Sequence, residues 1–265
     1  MANYWSVYEG ATQDYTAGVE KLRALLSEAD AVIIGAGFGL SVAAGLHDSG
    51  ERFHRLFGDF EEDYGIQSMY AGACYHFDTE EEWWAYYTRW AWNNRYEPIP
   101  GDTYQKLKRI LADKDYFILT TNIDHAFARS GFPKERVRYT QGDLGLLQCA
   151  GPCHKITYDN KEILKRIRAA GLSTRVSKEL IPRCPVCGGP MDFNLYWDGR
   201  FVRDEGWHEA NERWQNYLAA HLAGRVLFLE LGVGFNSPGV IKYPFWMEVQ
   251  KNPEAQVVTV DWKDP

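Results

Sequence analysis

The sequence predicts an α/β fold, and three observations predict it. The stretch Ala31-Val32-Ile33-Ile34-Gly35-Ala36-Gly37-Phe38-Gly39-Leu40-Ser41-Val42-Ala43-Ala44-Gly45 passes from β-branched residues into glycines and then into small residues able to start a helix. That is the pattern of a buried parallel strand, a tight turn and a helix N-terminus. Further apolar runs at Tyr116–Thr120, Val226–Leu231 and 255–260 each open into a polar or glycine-rich turn, as strands joined by helices do. Two close pairs of cysteines, Cys149 with Cys153 and Cys184 with Cys187, interrupt this series. Together they describe a Rossmann-like parallel sheet, assigned to 1–143 and 196–265, with a small zinc-ribbon module inserted at 144–195.

Length and composition bound what such a chain can do. Its 265 residues suffice for one large α/β domain with an insertion. The 29 basic against 36 acidic residues give a net charge of −7, which argues against nucleic acid or an anionic membrane as partner. No leader pattern and no apolar run of membrane length are seen, so a cytoplasmic protein is expected. Five cysteines in that compartment are not a disulfide framework.

In chain order, Val19, Leu22, Leu25 and Leu26 mark a helix that packs on the sheet and leads through Asp30 into the first strand. Residues 51–77 mix aromatics, glycines and acids and read as irregular helical segments, either a flap or a plain surface excursion. Thr79-Glu80-Glu81-Glu82 offers a capping box for a helix whose Trp83, Trp84, Tyr86, Tyr87, Trp90 and Trp92 are expected in the core. A helix with Tyr104, Leu107, Ile110 and Leu111 follows, then the strand Tyr116–Thr120.

Chemistry gathers at the strand ends. The turn through Gly35, Ala36, Gly37, Gly39, Leu40 and Ser41 can bring backbone N–H groups and a helix start to a pyrophosphate. A glycine turn without ligand is the competing reading. The spacing departs from G-x-G-x-x-G, and no acid closes a second strand about 20 residues later, so an ordinary Rossmann dehydrogenase fits badly. In Thr120-Thr121-Asn122-Ile123-Asp124-His125, Asn122 could bond ribose hydroxyls and Asp124 a carboxamide N–H, while both would serve equally as helix caps. Gln141 sits just past a strand over 137–140. The turn Gly232-Val233-Gly234-Phe235-Asn236 could hold the adenosine half of a dinucleotide, and Asp261 ends the last strand.

The cysteines are the most specific signal. Two knuckles roughly thirty residues apart suit a tetrahedral Zn²⁺ closed by four thiolates, which leaves no open position for catalysis. His154 reads as a neighbour of the site, and Cys74 as a buried small apolar residue. The segment 161–178 reads as a basic helix broken at Gly171, and 193–198 as a strand returning to the main domain. Residues 208–222 read as a helix with Trp214, Tyr217, Leu218 and His221 on one stripe.

Over residues 20–262 the combination resembles the sirtuin family of NAD-dependent enzymes. The run from Gly37 to Asp48 is similar to its GAGIS-x-x-SGIPD loop, Thr120 to Asp124 to TQNID, and Gly232 to Pro238 to GTS-x-x-V-x-P, while the four cysteines match its zinc ribbon. The resemblance implies NAD bound between the sheet domain and the module, with Gly37, Ser41, Asn122 and Asp124 in contact, Asp124 through the nicotinamide carboxamide.

The departures are chemical. Sirtuin deacylases carry a histidine general base in an HG motif, and Gln141-Gly142 stands there. An amide does not titrate near neutral pH and cannot take the ribose proton. The D-F-R-G segment is altered to Asp48-Ser49-Gly50. In these departures Thr120 to His125 and Tyr139 to Asp143 resemble the macrodomain-linked microbial sirtuins, identified as protein ADP-ribosyltransferases. That branch implies attack on the nicotinamide ribose C1′ by a lipoylated carrier protein related to the glycine-cleavage H protein, and a macrodomain hydrolase as a second partner. Asn122, Asp124 and Gln141 are then the catalytic candidates, orienting groups around an oxocarbenium-like centre. A lysine deacylase recruiting His47 or His125 as base, and a non-catalytic NAD or ADP-ribose sensor, are the alternatives.

Overall fold

Six parallel strands are stitched side by side in the order β1-β9-β8-β2-β3-β4, here β1 (Tyr4–Ser6), β2 (Ala31–Ala36), β3 (Tyr116–Thr120), β4 (Val137–Tyr139), β8 (Val226–Leu231) and β9 (Gln256–Val260). The computed structural model describes residues 4–6, 15–171 and 173–261. The parts of the expected sheet domain at 1–3, 7–14 and 262–265, and Leu172 of the expected basic helix, lie outside the described residues. The central strand β2 is buried at all six positions, as an apolar run covered on both faces must be.

Helices cover the two faces. On one, α1 (Tyr15–Glu28), α2 (Phe38–Ala43), α6 (Thr103–Ile110) and α7 (Ala126–Arg129) bury Leu26, Leu40, Tyr104, Leu107 and Phe127 against Val32, Ile34, Ile118 and Leu229. On the other, α9 (Glu205–His221) and α10 (Lys242–Lys251) bury Trp214, Tyr217, Phe245 and Val249 against Ile33, Phe117 and Phe228. Among the described residues no helix is long and apolar enough to cross a membrane.

A second lobe has its own core. The strands β5 (Gly142–Cys149), β6 (Tyr158–Asp159) and β7 (Met191–Leu195) form an antiparallel sheet in the order β6-β5-β7. Against it pack α3 (Glu51–Tyr64), α4 (Met69–Ala73), α5 (Glu80–Ala91) and α8 (Lys161–Ala169), through Phe53, Phe57, Phe60, Trp84, Tyr86, Tyr87, Leu164 and Phe193. Aromatics spread around α5 because α3, α4 and the antiparallel sheet all pack against it. Its capping box is present, with Glu82 N–H donating to Thr79 Oγ1 at 3.3 Å and Thr79 N–H to Glu82 Oε2 at 3.0 Å.

The irregular helical segments expected over 51–77 are α3, kinked at Phe57, and the short α4; Phe53, Phe57 and Phe60 recur at helical spacing and are fully buried. One expectation is corrected. Phe193, expected on a strand of the main sheet, lies instead on β7, where it packs against Trp83, Trp84 and Tyr87 of α5.

Candidate active site

The chain leaves β2 toward β3 on one side, whereas β8 lies on the other, so the carboxyl ends of β2 and β8 flank the switch point where such sheets take ligands. The two turns meet there. Gly37 N–H donates to Leu231 O at 3.1 Å and Gly39 N–H to Gly232 O at 3.0 Å. Gly232 has φ +60°, and a Cβ on it would lie 2.4 Å from both Gly39 C and Leu40 N. Only glycine satisfies both the left-handed backbone and this approach. Gly35 and Ala36 face inward, Gly35 beneath Ile241 and Phe245, and Leu40 and Val233 are buried. Gly234 and Asn236 are exposed beyond them. Asp261 follows β9 and is partly exposed.

Behind the glycines a buried polar network ties the first turn to the third strand. Asn122 Nδ2 donates to Gly37 O at 3.0 Å and to Ser41 Oγ at 3.1 Å. Ser41 Oγ donates to Asp124 Oδ2 at 2.5 Å and lies 3.0 Å from the Tyr104 hydroxyl. Asp124 Oδ1 accepts from Ala126 N–H at 2.9 Å, so this carboxylate caps the turn and faces the site at once. Burial pushes the Asp124 carboxyl above its ordinary value, against the hydrogen bonds from Ser41 and Ala126. Thr121 N–H donates to Ala36 O at 3.1 Å, and Ile123 O accepts from Leu144 N–H at 2.9 Å, which fastens the turn to the second lobe.

Gln141 lies where the lobes join. It is half-buried, immediately before β5, and its backbone O accepts from Tyr196 N–H at 3.1 Å. The residue after it must be glycine: φ at Gly142 is +94°, and a Cβ would fall 1.9 Å from Asn194 O. Gln141 lines a cavity of about 520 Å³ with Arg138, Thr140, Tyr196 and Trp207.

Several site residues were not read from sequence. The helix α5 runs into a π-helical turn, Trp92–Tyr96, that carries Arg95 across to Asp143, with Nε donating to Oδ1 at 2.7 Å and Nη2 to Oδ2 at 3.3 Å. The same Nη2 donates to His125 Nδ1 at 3.0 Å. Guanidinium has no lone pair to offer, so that nitrogen is the acceptor and the imidazole is neutral. Burial also holds the His125 pKa below its ordinary value. His125, the one non-glycine residue at positive φ (57°) among the described residues, packs against Tyr139 with ring centroids 4.1 Å apart and planes tilted by 42°. It is held in place and not free to act as a base. Arg129 donates to Asn94 O at 2.6 Å and to Asp124 O at 3.4 Å. The polar triplet Asn93-Asn94-Arg95, ending an aromatic run, is the one sequence signal that marks this junction.

The four cysteines converge as expected. Their Sγ atoms all lie within 4.8 Å of one another, with Cys149 to Cys187 at 3.7 Å and Cys153 to Cys184 at 3.8 Å. Zinc–sulfur bonds of about 2.3 Å in a tetrahedron give edges of roughly 3.8 Å, so the donor set fits Zn²⁺. His154 Nδ1 lies 2.9 Å from Cys153 Sγ and its Nε2 2.8 Å from the Tyr158 hydroxyl, a neighbour of the thiolates and not a fifth ligand. The expectation for Cys74 is corrected: it is exposed, at the end of the short helix α4.

No family model matches the chain. Among solved structures, a Sir2 homologue in complex with NAD aligns at TM-score 0.59 and 15% identity, over 91% of this chain and 82% of that one. Sir2Tm bound to a propionylated peptide aligns at TM-score 0.54 and 14% identity, over 93% and 87%. A parallel sheet with a four-cysteine lobe at its carboxyl edge is thus the Sir2 fold. Sequence relatives go further. A protein ADP-ribosyltransferase of Staphylococcus aureus is 33% identical over 264 residues, 99% of this chain and 84% of that protein. A Fusarium oxysporum f. sp. cubense protein named "Probable bifunctional ADP-ribose hydrolase/ADP-ribosyltransferase" is 31% identical over 237 residues, 84% of this chain but 38% of that larger one. The chain belongs to the sirtuin family, among its protein ADP-ribosyltransferases.

Proposed function

We propose that the protein transfers ADP-ribose from NAD to a protein acceptor and releases nicotinamide. The relationship along 99% of the chain to a protein ADP-ribosyltransferase carries this reading. In it, the turns at Gly37, Gly39 and Gly232 to Gly234 receive the pyrophosphate and adenosine, with Asn236 and Asp261 at the outer edge. Ser41 and Asn122 hold the nicotinamide ribose, and Asp124 accepts from the carboxamide. A cationic pyridinium beside Asp124 would offset the desolvation of its buried carboxylate. The C1′–nitrogen bond breaks with its electron pair leaving on nicotinamide, the acceptor's nucleophile forms the new bond to C1′, and any proton it carried passes to solvent. Gln141 contributes orientation and a hydrogen bond and no proton transfer.

The four-cysteine lobe, taken as 144–195 inserted between 1–143 and 196–265, holds zinc structurally. The acceptor in this reading is a lipoylated carrier related to the glycine-cleavage H protein, with a macrodomain hydrolase as second partner and the cytoplasm as location. The runs Thr120 to His125 and Tyr139 to Asp143 support that choice, and so does the pairing of the two activities in the name of the Fusarium relative. Nicotinamide release tests it, measured with a lipoylated carrier, the same carrier without lipoate, an acetylated peptide and no protein. Release that depends on the lipoylated carrier is expected. Release driven by the acetylated peptide alone would replace the reading with deacylation.

A further inference from the structure

The cavity beside Gln141 is lined by two arginines, the half-buried Arg138 and the exposed Arg203. Arg138 of β4 and Arg203, just ahead of α9, hold their guanidinium carbons 5.3 and 5.2 Å from the ring centroid of Trp207, and Arg203 lies 6.0 Å from that of Tyr196. All four residues line the cavity. Three other half-buried arginines near the site are bonded: Arg95 to Asp143, Arg52 to His47 O, Asn93 O and Asn94 Oδ1, Arg129 to backbone carbonyls. Among the described residues no carboxylate or carbonyl bonds the Arg138 or Arg203 side chain, and Arg138 Nε and Trp207 Nε1 are both buried without a partner. Burial alone, with no opposing anion, holds the Arg138 guanidinium below its ordinary range. The one carboxylate on the cavity wall, Glu248, is engaged by Lys251 at 2.8 Å.

A half-buried guanidinium left without partners is costly unless a ligand supplies them. The donors present, two planar forks and an indole N–H, match an oxyanion. On the reading given under Proposed function, we propose that Arg138, Trp207 and Arg203 form a carboxylate subsite that seats an acidic side chain of the protein acceptor next to Gln141. Two cations on a chain of net charge −7 make a point of recognition and not a nucleic-acid track. A carboxylate clamped by arginine is a poor nucleophile, so the subsite anchors the acceptor and does not hold the group that is modified. The exposed Tyr196, hydrogen-bonded through its backbone to Gln141, connects the anchor to the reacting position.

Calorimetric titration of succinate and of inorganic phosphate, without NAD, tests the subsite independently of any transfer. Wild type should bind succinate in the millimolar range. Arg138→Gln and Arg203→Gln should each weaken it about tenfold, and Trp207→Phe, which keeps the ring and removes the N–H, by less. Circular dichroism shows which variants are folded. In transfer assays the loss in Arg138→Gln should fall on KM for the acceptor, with succinate competing against acceptor and not against NAD. No succinate binding to wild type, binding undiminished in both arginine variants, or phosphate bound more tightly than succinate would each overturn the proposal. Succinate binding intact in a protein that transfers nothing would support the subsite and reject the transferase reading.

Discussion

Ser41 is a single hydroxyl, yet through it the glycine turn, Asn122, Asp124 and Tyr104 become one buried network. Such a network is stable only when every member is satisfied, and Asp124 is the member that carries the cost. Its carboxyl has a raised pKa in the fold because burial outweighs the bonds it accepts. The folded state therefore gains stability that is fully present below the ordinary carboxylate pKa and is lost as pH rises through the raised one. Asp124→Asn removes that dependence. Its melting temperature relative to wild type should climb as pH rises above the ordinary carboxylate range of about 4, while nicotinamide release falls. A melting difference that stays flat as pH rises would show that burial of Asp124 is not what the fold opposes. Tyr104 belongs to the network through its hydroxyl but read in the sequence only as one apolar position of a helix. A side chain's polar end is invisible to periodicity.

Elements that bury one stripe were legible, because apolar spacing reports it directly. The sequence placed β3 and β8 at their observed bounds and the capping box at Thr79. Thr79→Ala removes the bond from Glu82 N–H to the Thr79 hydroxyl, leaves that from the backbone N–H of residue 79 to Glu82, and should cost about 1 kcal/mol in denaturant unfolding; no change would mean that α5 is held by its aromatic packing alone. The π-helical turn at Trp92–Tyr96 was not legible, since five residues of altered pitch leave no period of their own, and with it Arg95 and its pairing with Asp143 went unread. With glycines at 58 and 65, the stretch 51–77 was legible only as irregular helical segments, without the bounds of α3 and α4. Contact between the β2 and β8 turns is also a property of topology, not of either segment. Gly232→Ala forces a Cβ into Gly39 and Leu40 at positive φ and should weaken NAD binding by calorimetry about tenfold or more, with a lowered melting temperature. Unchanged affinity would separate this contact from the dinucleotide.

At the scale of the molecule, β5 joins the two chemistries. It begins directly after Gln141 and ends on Cys149, a zinc-site thiol. Metal removal should therefore abolish transfer although no ligand of the metal reaches the substrate. In hydrogen exchange after chelation, β5 and β7 should lose protection while β2 and β8 keep theirs. Equal loss in both sheets would make the metal a support of the whole fold. The central claim is that ADP-ribosyl transfer proceeds here with an amide where a deacylase keeps its base. Intact-mass spectrometry of a lipoylated carrier mixed with NAD, the enzyme and an acetylated peptide addresses it most directly. The account predicts an ADP-ribosyl adduct on the carrier, slowed about 10²-fold in Gln141→Ala, with the acetyl group left in place. An unmodified carrier beside a deacetylated peptide would contradict it.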